Sequence, residues 1–192
     1  VMFFFSNIFA TGLLLFTILF YVFIYTIWLK RMTSLNIVIG GAAGALPPII
    51  GWAAVIPEIS YLSISMFLII FFWTPPHFWA LAVYRFNDYE KVKIPMLPNV
   101  IGIEDTKNQI VCYTIILILL SYTPFFSSLI GYIYLFAATL LNGILIFNAF
   151  KLKKSKEIEN IANKEGLKFF AITIFYLFSI FASLLTDNLF RL

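Results

Sequence analysis

Charge is scarce in this chain. Asp, Glu, Lys and Arg make up 11% of its 192 residues, and no acid occurs in residues 1–29. Soluble domains carry about 25% charged residues, so the polar shell of a water-soluble globule is excluded. There is one cysteine, Cys112, inside an apolar run, so no internal disulfide is possible. A single histidine, His77, would have to serve any imidazole-dependent step. Gly-rich phosphate loops, CxxC, HExxH and GxSxG are all missing, which removes P-loop, dithiol, zincin and nucleophile-elbow chemistry. The net charge of +4 is not gathered on one polar face, and no nucleic-acid partner is expected.

What is abundant is apolar. Hydrophobic residues reach 62%, aromatics 19% with 23 Phe, and the mean hydropathy is +0.98. Apolar runs of about 20 residues are long enough to cross roughly 30 Å of hydrocarbon. Six such spans are predicted, at about Ile8–Trp28, Asn36–Ile56, Ile59–Tyr84, Asn108–Leu129, Gly131–Phe150 and Leu167–Leu185. The fold class is therefore all-α, a polytopic membrane helix bundle in which 1–192 form one transmembrane domain. Of the 13 Lys and Arg, only Arg191 falls on the far side of these spans. By the positive-inside rule, the loops at about 29–35, 85–107 and 151–167 are cytoplasmic, or on the equivalent side of an organelle.

Three stretches depart from plain lipid-facing helix. In the second span, Gly40 and Gly44 make a small-xxx-small pair that admits a close neighbour, and Pro47-Pro48 interrupts the helix. That pattern serves either helix packing or a kink beside a cavity. The third span carries Pro75-Pro76 followed by His77, flanked by Trp73 and Trp79. An ionisable side chain inside a span is a functional candidate; the alternative is a neutral His bonded to a carbonyl that the prolines free. Then comes YRFNDYEKVKIPMLPNVIG from Tyr84 to Gly102, where Arg85, Asp88, Glu90, Lys91 and Lys93 crowd together. Acid and base interleaved at a membrane edge suit a divalent metal holding a diphosphate. The composition also fits an ordinary solvated connection.

TIWLKRMTSLNIVIGGAAGALPPIIGWAAV, FWTPPHFWALAVYR and DYEKVKIPMLPNVIG together resemble the protoheme IX farnesyltransferases, or haem O synthases, of the UbiA-type intramembrane prenyltransferases. The resemblance runs over about residues 25–102. It implies nine membrane helices around a central cavity, and transfer of a farnesyl group from farnesyl diphosphate to a vinyl group of haem B, giving haem O. It also implies Mg²⁺ held by two Asp-rich motifs. The later motif falls on Tyr84, Arg85, Asp88 and Tyr89 and continues to Pro98, with Asn87 where the family commonly has an acid and Val92 leaving no second carboxylate. The earlier motif is missing, and the chain opens VMFFFSN without a Met at position 1 or a charged leader, so the expectation is the last six of nine helices.

The expected roles follow from that resemblance and from residue type. Asp88, with Glu90, would hold the metal; Arg85, Lys91, Lys93, Lys30 and Arg31 would take phosphate charge. His77, Trp73, Phe78, Trp79, Tyr84 and Asn36 would form the haem and prenyl pocket. The partners implied are the two substrates, the lipid bilayer, and haem A synthase or terminal oxidase assembly proteins. The membrane would be the bacterial inner membrane or the mitochondrial inner membrane. A prenyltransferase for another ring acceptor, a transporter with broken helices, and an inactive membrane fragment stay open at this point.

Overall fold

The structure, a computed structural model, describes residues 2–91, 95–155 and 161–191, without the side chains of Met2, Arg31, residues 161–163 and Arg191. In hydrocarbon every backbone polar group must be satisfied within its own segment, so the apolar runs fold as helices. After a short α1 (Met2–Phe5) come α2 (Ile8–Leu19), which continues as a π-helical stretch Phe20–Trp28 and a 3₁₀ turn Leu29–Arg31. Then follow α3 (Asn36–Ala45), α4 (Pro47–Val55), α5 (Tyr61–Tyr84), α6 (Phe86–Lys91), α7 (Leu97–Ile101), α8 (Ile103–Ser121), α9 (Tyr132–Lys154) and α10 (Ile161–Arg191). Six helical segments among the described residues are long and apolar enough to cross a membrane, α3 and α4 counting together as one.

The last three spans begin earlier or run longer than the sequence predicts. α8 starts at Ile103 because Gly102, at φ 88°, turns the chain sharply and leaves Glu104 and Asp105 in the first turn, where the helix dipole favours acids. The polar connection predicted for residues 85–107 is thus largely helical, holding α6, α7 and the start of α8. Likewise α9 runs on to Lys154, its basic last turn matching the dipole at its C-terminal end. Lys107, expected as a surface base, is fully buried and joins Glu104 Oε1 at 2.7 Å to Ser155 O at 2.8 Å.

The core lies where α5 packs against α8 and α10, and α9 packs against the same pair. Trp79, Tyr134 and Tyr176 are its largest buried side chains. Polar groups pair within it: Asn142 Nδ2 donates to Ser121 Oγ at 2.8 Å, and Tyr176 OH donates to Asn142 Oδ1 at 2.9 Å, while the buried Trp79 indole N–H has no partner. Asn148 Nδ2 donates to the Ile144 carbonyl one turn back on α9. Buried Asp187 of α10 accepts from the N–H groups of Ile133 and Tyr134, capping α9. The first span stands apart from this core, with Ala10 its only buried residue in α2.

Candidate functional site

Between α3 and α5 lies a cavity of about 470 Å³, partly open, and within the size range of small-ligand sites. Small residues make it. Gly40, Gly41 and Gly44 leave the α3 wall without side chains, while Ile70, Trp73, Thr74 and Phe78 of α5 form the facing wall. Tyr21 and Tyr25, one turn apart on the π-helical end of the first span, close a third side. Gly40 lets the Tyr25 ring approach, since a Cβ there would lie 2.5 Å from that ring and force it to move. Both α3 and α5 contribute nine-residue stretches, from Asn36 to Gly44 and from Phe78 to Ile70, so the walls are each about 12 Å deep at 1.5 Å per residue step.

The mouth is polar. Lys30 and Asn36 line it from one side, Tyr89 of α6 and Met96 from the other. Asn36 is buried, and its Nδ2 donates to Lys30 O at 3.1 Å, which ties the 3₁₀ turn to the start of α3. Asp88, next to Tyr89, is exposed and is not among the cavity-lining residues; its carboxylate lies 3.8 Å from Nη1 of Arg85, the residue that caps α5 just before α6. Lys91 is exposed one turn further on. Glu90 is two residues from Asp88, so the helical winding of α6 turns their carboxylates about 200° apart and does not bring them together as a chelating pair. Among the described residues no group of three or more His, Cys, Asp or Glu side chains could hold a metal ion. Lys93 and the Arg31 side chain lie outside the described residues.

Of the expected pocket residues, Trp73, Phe78 and Asn36 line the cavity, and His77, Trp79 and Tyr84 do not. His77 stands behind the wall, 6% exposed, with its Nδ1 2.7 Å from Thr173 Oγ1 of α10. Its partner is that hydroxyl rather than a carbonyl freed by the prolines. Its ring stacks between Trp73 and Phe170, at centroid distances of 4.2 and 4.3 Å. Trp79 points into the core, edge-on to Tyr113 at 5.0 Å. Tyr21, Tyr25, Thr74 and Thr173 were not legible as site residues. The i,i+4 spacing of Tyr21 and Tyr25 on an apolar span was the one local signal available for the first two.

The chain matches the UbiA prenyltransferase family over residues 1–184. It is 49% identical over 189 residues to a protoheme IX farnesyltransferase of Pelagibacter ubique, covering 97% of this chain and 61% of that protein. It is 47% identical to the protein of that name from Agrobacterium fabrum, covering 95% of this chain and 57% of the relative. For the Rickettsia massiliae protein the figures are 50%, 95% and 58%. The chain thus spans about three-fifths of the length of the curated relatives it matches. No solved structure matches it with significance. Six apolar spans, a cavity walled by glycines and aromatics, and a family match over nearly the whole chain lead to one conclusion: this chain belongs to the UbiA prenyltransferase family.

Proposed function

We propose that the protein carrying this chain transfers a farnesyl group from farnesyl diphosphate to a vinyl group of haem B, giving haem O. The observation that carries this reading is the join between an apolar, aromatic cavity and a polar mouth lined by Lys30, Asn36 and Tyr89, with the exposed Arg85–Asp88 pair next to Tyr89 in the chain. A prenyl chain is apolar and its diphosphate is not, so a ligand of that shape meets matching chemistry at both ends. The relatives' name, protoheme IX farnesyltransferase, supports farnesyl and protoheme IX as the substrates.

In the reaction the bond between farnesyl C1 and diphosphate oxygen breaks, and its electron pair leaves with the diphosphate. The vinyl group supplies the electrons for the new carbon–carbon bond; water then adds to the resulting cation and loses a proton. Lys30 at the mouth would bind a phosphate oxygen, with Arg85 at the end of α5 and Lys91 of α6 as further cations. Trp73 and Phe78 would offer π faces to the allylic cation and exclude water from it. Magnesium suits the donor chemistry of α6, because it is held by one or two carboxylates together with substrate phosphates. Exposed Asp88 would hold it, and the ion would draw charge from the leaving group. Haem B would approach from the open side of the cavity.

The setting would be a bacterial inner membrane or the mitochondrial inner membrane, with α6 on the cytoplasmic or matrix side. Haem A synthase or terminal oxidase assembly proteins would take the product onward. The test is Asp88→Asn in the protein as encoded, reconstituted in lipid with haem B, farnesyl diphosphate and Mg²⁺. Haem O formation should fall about 100-fold, the size of loss typical when a charge-stabilising group is removed. Near-normal transfer would remove Asp88 from the metal role.

A further inference from the structure

We propose that His77 and Thr173 are positioning residues that fix Trp73 as the rigid wall of the cavity, an inference resting on the prenyl-site reading above. Trp73 is held at two places. Its indole Nε1–H donates to the Thr173 carbonyl of α10 at 2.7 Å. Its face is covered by the His77 imidazole, 4.2 Å away between centroids and 19° from parallel. Phe170, also of α10, covers the other face of that imidazole at 4.3 Å and 21°. The stack therefore runs from the cavity surface through His77 into α10.

The rotation of the middle ring is set by hydrogen bonding. The Thr173 hydroxyl has one proton, and it is directed to Phe170 O at 2.6 Å. The 2.7 Å contact between Thr173 Oγ1 and His77 is then a donation from Nδ1–H. A phenyl ring in place of His77 could stack but would lack this edge contact. An imidazole bonded at its edge gives Trp73 a plate that cannot turn. A wall with no rotamer freedom loses no entropy when a substrate arrives, and its π face stays aimed at the cavity. His77 lies behind Trp73 and is not among the residues lining the cavity, so it acts on substrate through its neighbours.

The test uses the protein as encoded, reconstituted in lipid vesicles with haem B, farnesyl diphosphate and Mg²⁺, reading KM for farnesyl diphosphate and the share of farnesyl released as farnesol. Thr173→Val keeps the shape and removes the hydroxyl that accepts from His77 Nδ1, leaving the Phe170 carbonyl as the remaining acceptor at that edge, a loss of about 1 kcal/mol. It should raise KM about fivefold or more and increase the farnesol share, the fold-change matching that loss. Thr173→Ser should keep wild-type values. Thr173→Val with His77→Phe removes the under-bonded donor and should recover most of the loss. His77→Phe alone orphans no donor, so it should fold normally and transfer farnesyl with a small rise in KM. If Thr173→Val fails to fold, that variant decides the question. Unchanged KM and farnesol share in Thr173→Val would overturn the inference, as would loss of all transfer in well-folded His77→Phe, which would make His77 catalytic. No transfer by the wild-type protein would overturn the farnesyl-transfer reading itself.

Discussion

The two proline pairs in this molecule have the same sequence and opposite outcomes. Pro47-Pro48 ends α3 and starts α4, with Leu46 between them. Pro75-Pro76 sits inside α5, which runs unbroken from Tyr61 to Tyr84. Proline removes a ladder donor and crowds the preceding turn in both places. The difference lies in what surrounds them. Thr74, Pro75, Pro76 and His77 are all buried, with Trp73 and His77 fastened to α10 across the interface. Pro47 is exposed and has no such clamp. The pair fastened by side-chain hydrogen bonds lies in a whole helix, and the pair that begins exposed lies at a break. The cavity lies between a wall of small residues that leads into a break and a wall that is clamped.

Three substitutions would break or sharpen that contrast. Trp73→Ala strikes the clamped wall directly, taking away a half-buried indole, its bond to Thr173 O and the plate over His77. It should cost about 2–3 kcal/mol, somewhat below the range for a fully buried tryptophan, and abolish most prenyl transfer. Thermal unfolding in detergent and haem O formation check the two parts. Gly40→Ala strikes the opposite wall. Its Cβ would meet Tyr25 at 2.5 Å, so the ring must move, at about 1–2 kcal/mol. Affinity for farnesyl diphosphate should fall, as measured by equilibrium binding. The smallest effect belongs to Pro75→Ala with Pro76→Ala. Because α5 is already continuous, helicity by circular dichroism should stay constant and stability should change by less than about 1 kcal/mol. A large loss there would mean that the prolines, rather than α10, set the shape of α5.

Much of the bundle was legible in the sequence, because hydropathy over 20 residues is a strong and local signal. The six spans, the small-residue face of α3 and the polar stretch after Tyr84 all follow from it. The placement of individual side chains did not. His77 looked like a pocket residue because an imidazole inside a membrane is rare; its partner lies 96 positions away on α10, beyond any local pattern. Glu90 looked like a second ligand because it is close to Asp88 in sequence, but only the winding of α6 decides which side chains share a face. Asp88 turns toward Arg85 on the exposed side of that helix, while its neighbour Tyr89 reaches the cavity. The π-helical winding that presents Tyr21 and Tyr25 has no sequence signature in an all-apolar span.

The central claim is that the hollow between α3 and α5 receives the prenyl chain. Photolabelling tests it most directly, using a farnesyl diphosphate analogue with a diazirine on its terminal isoprene unit, followed by mass spectrometry of the peptides. Labels should fall on Tyr25, Ile70, Trp73 and the Gly40–Gly44 segment, and an excess of farnesyl diphosphate should remove them. Labels confined to the outer faces of α8, α9 and α10, or unaffected by competitor, would contradict the claim.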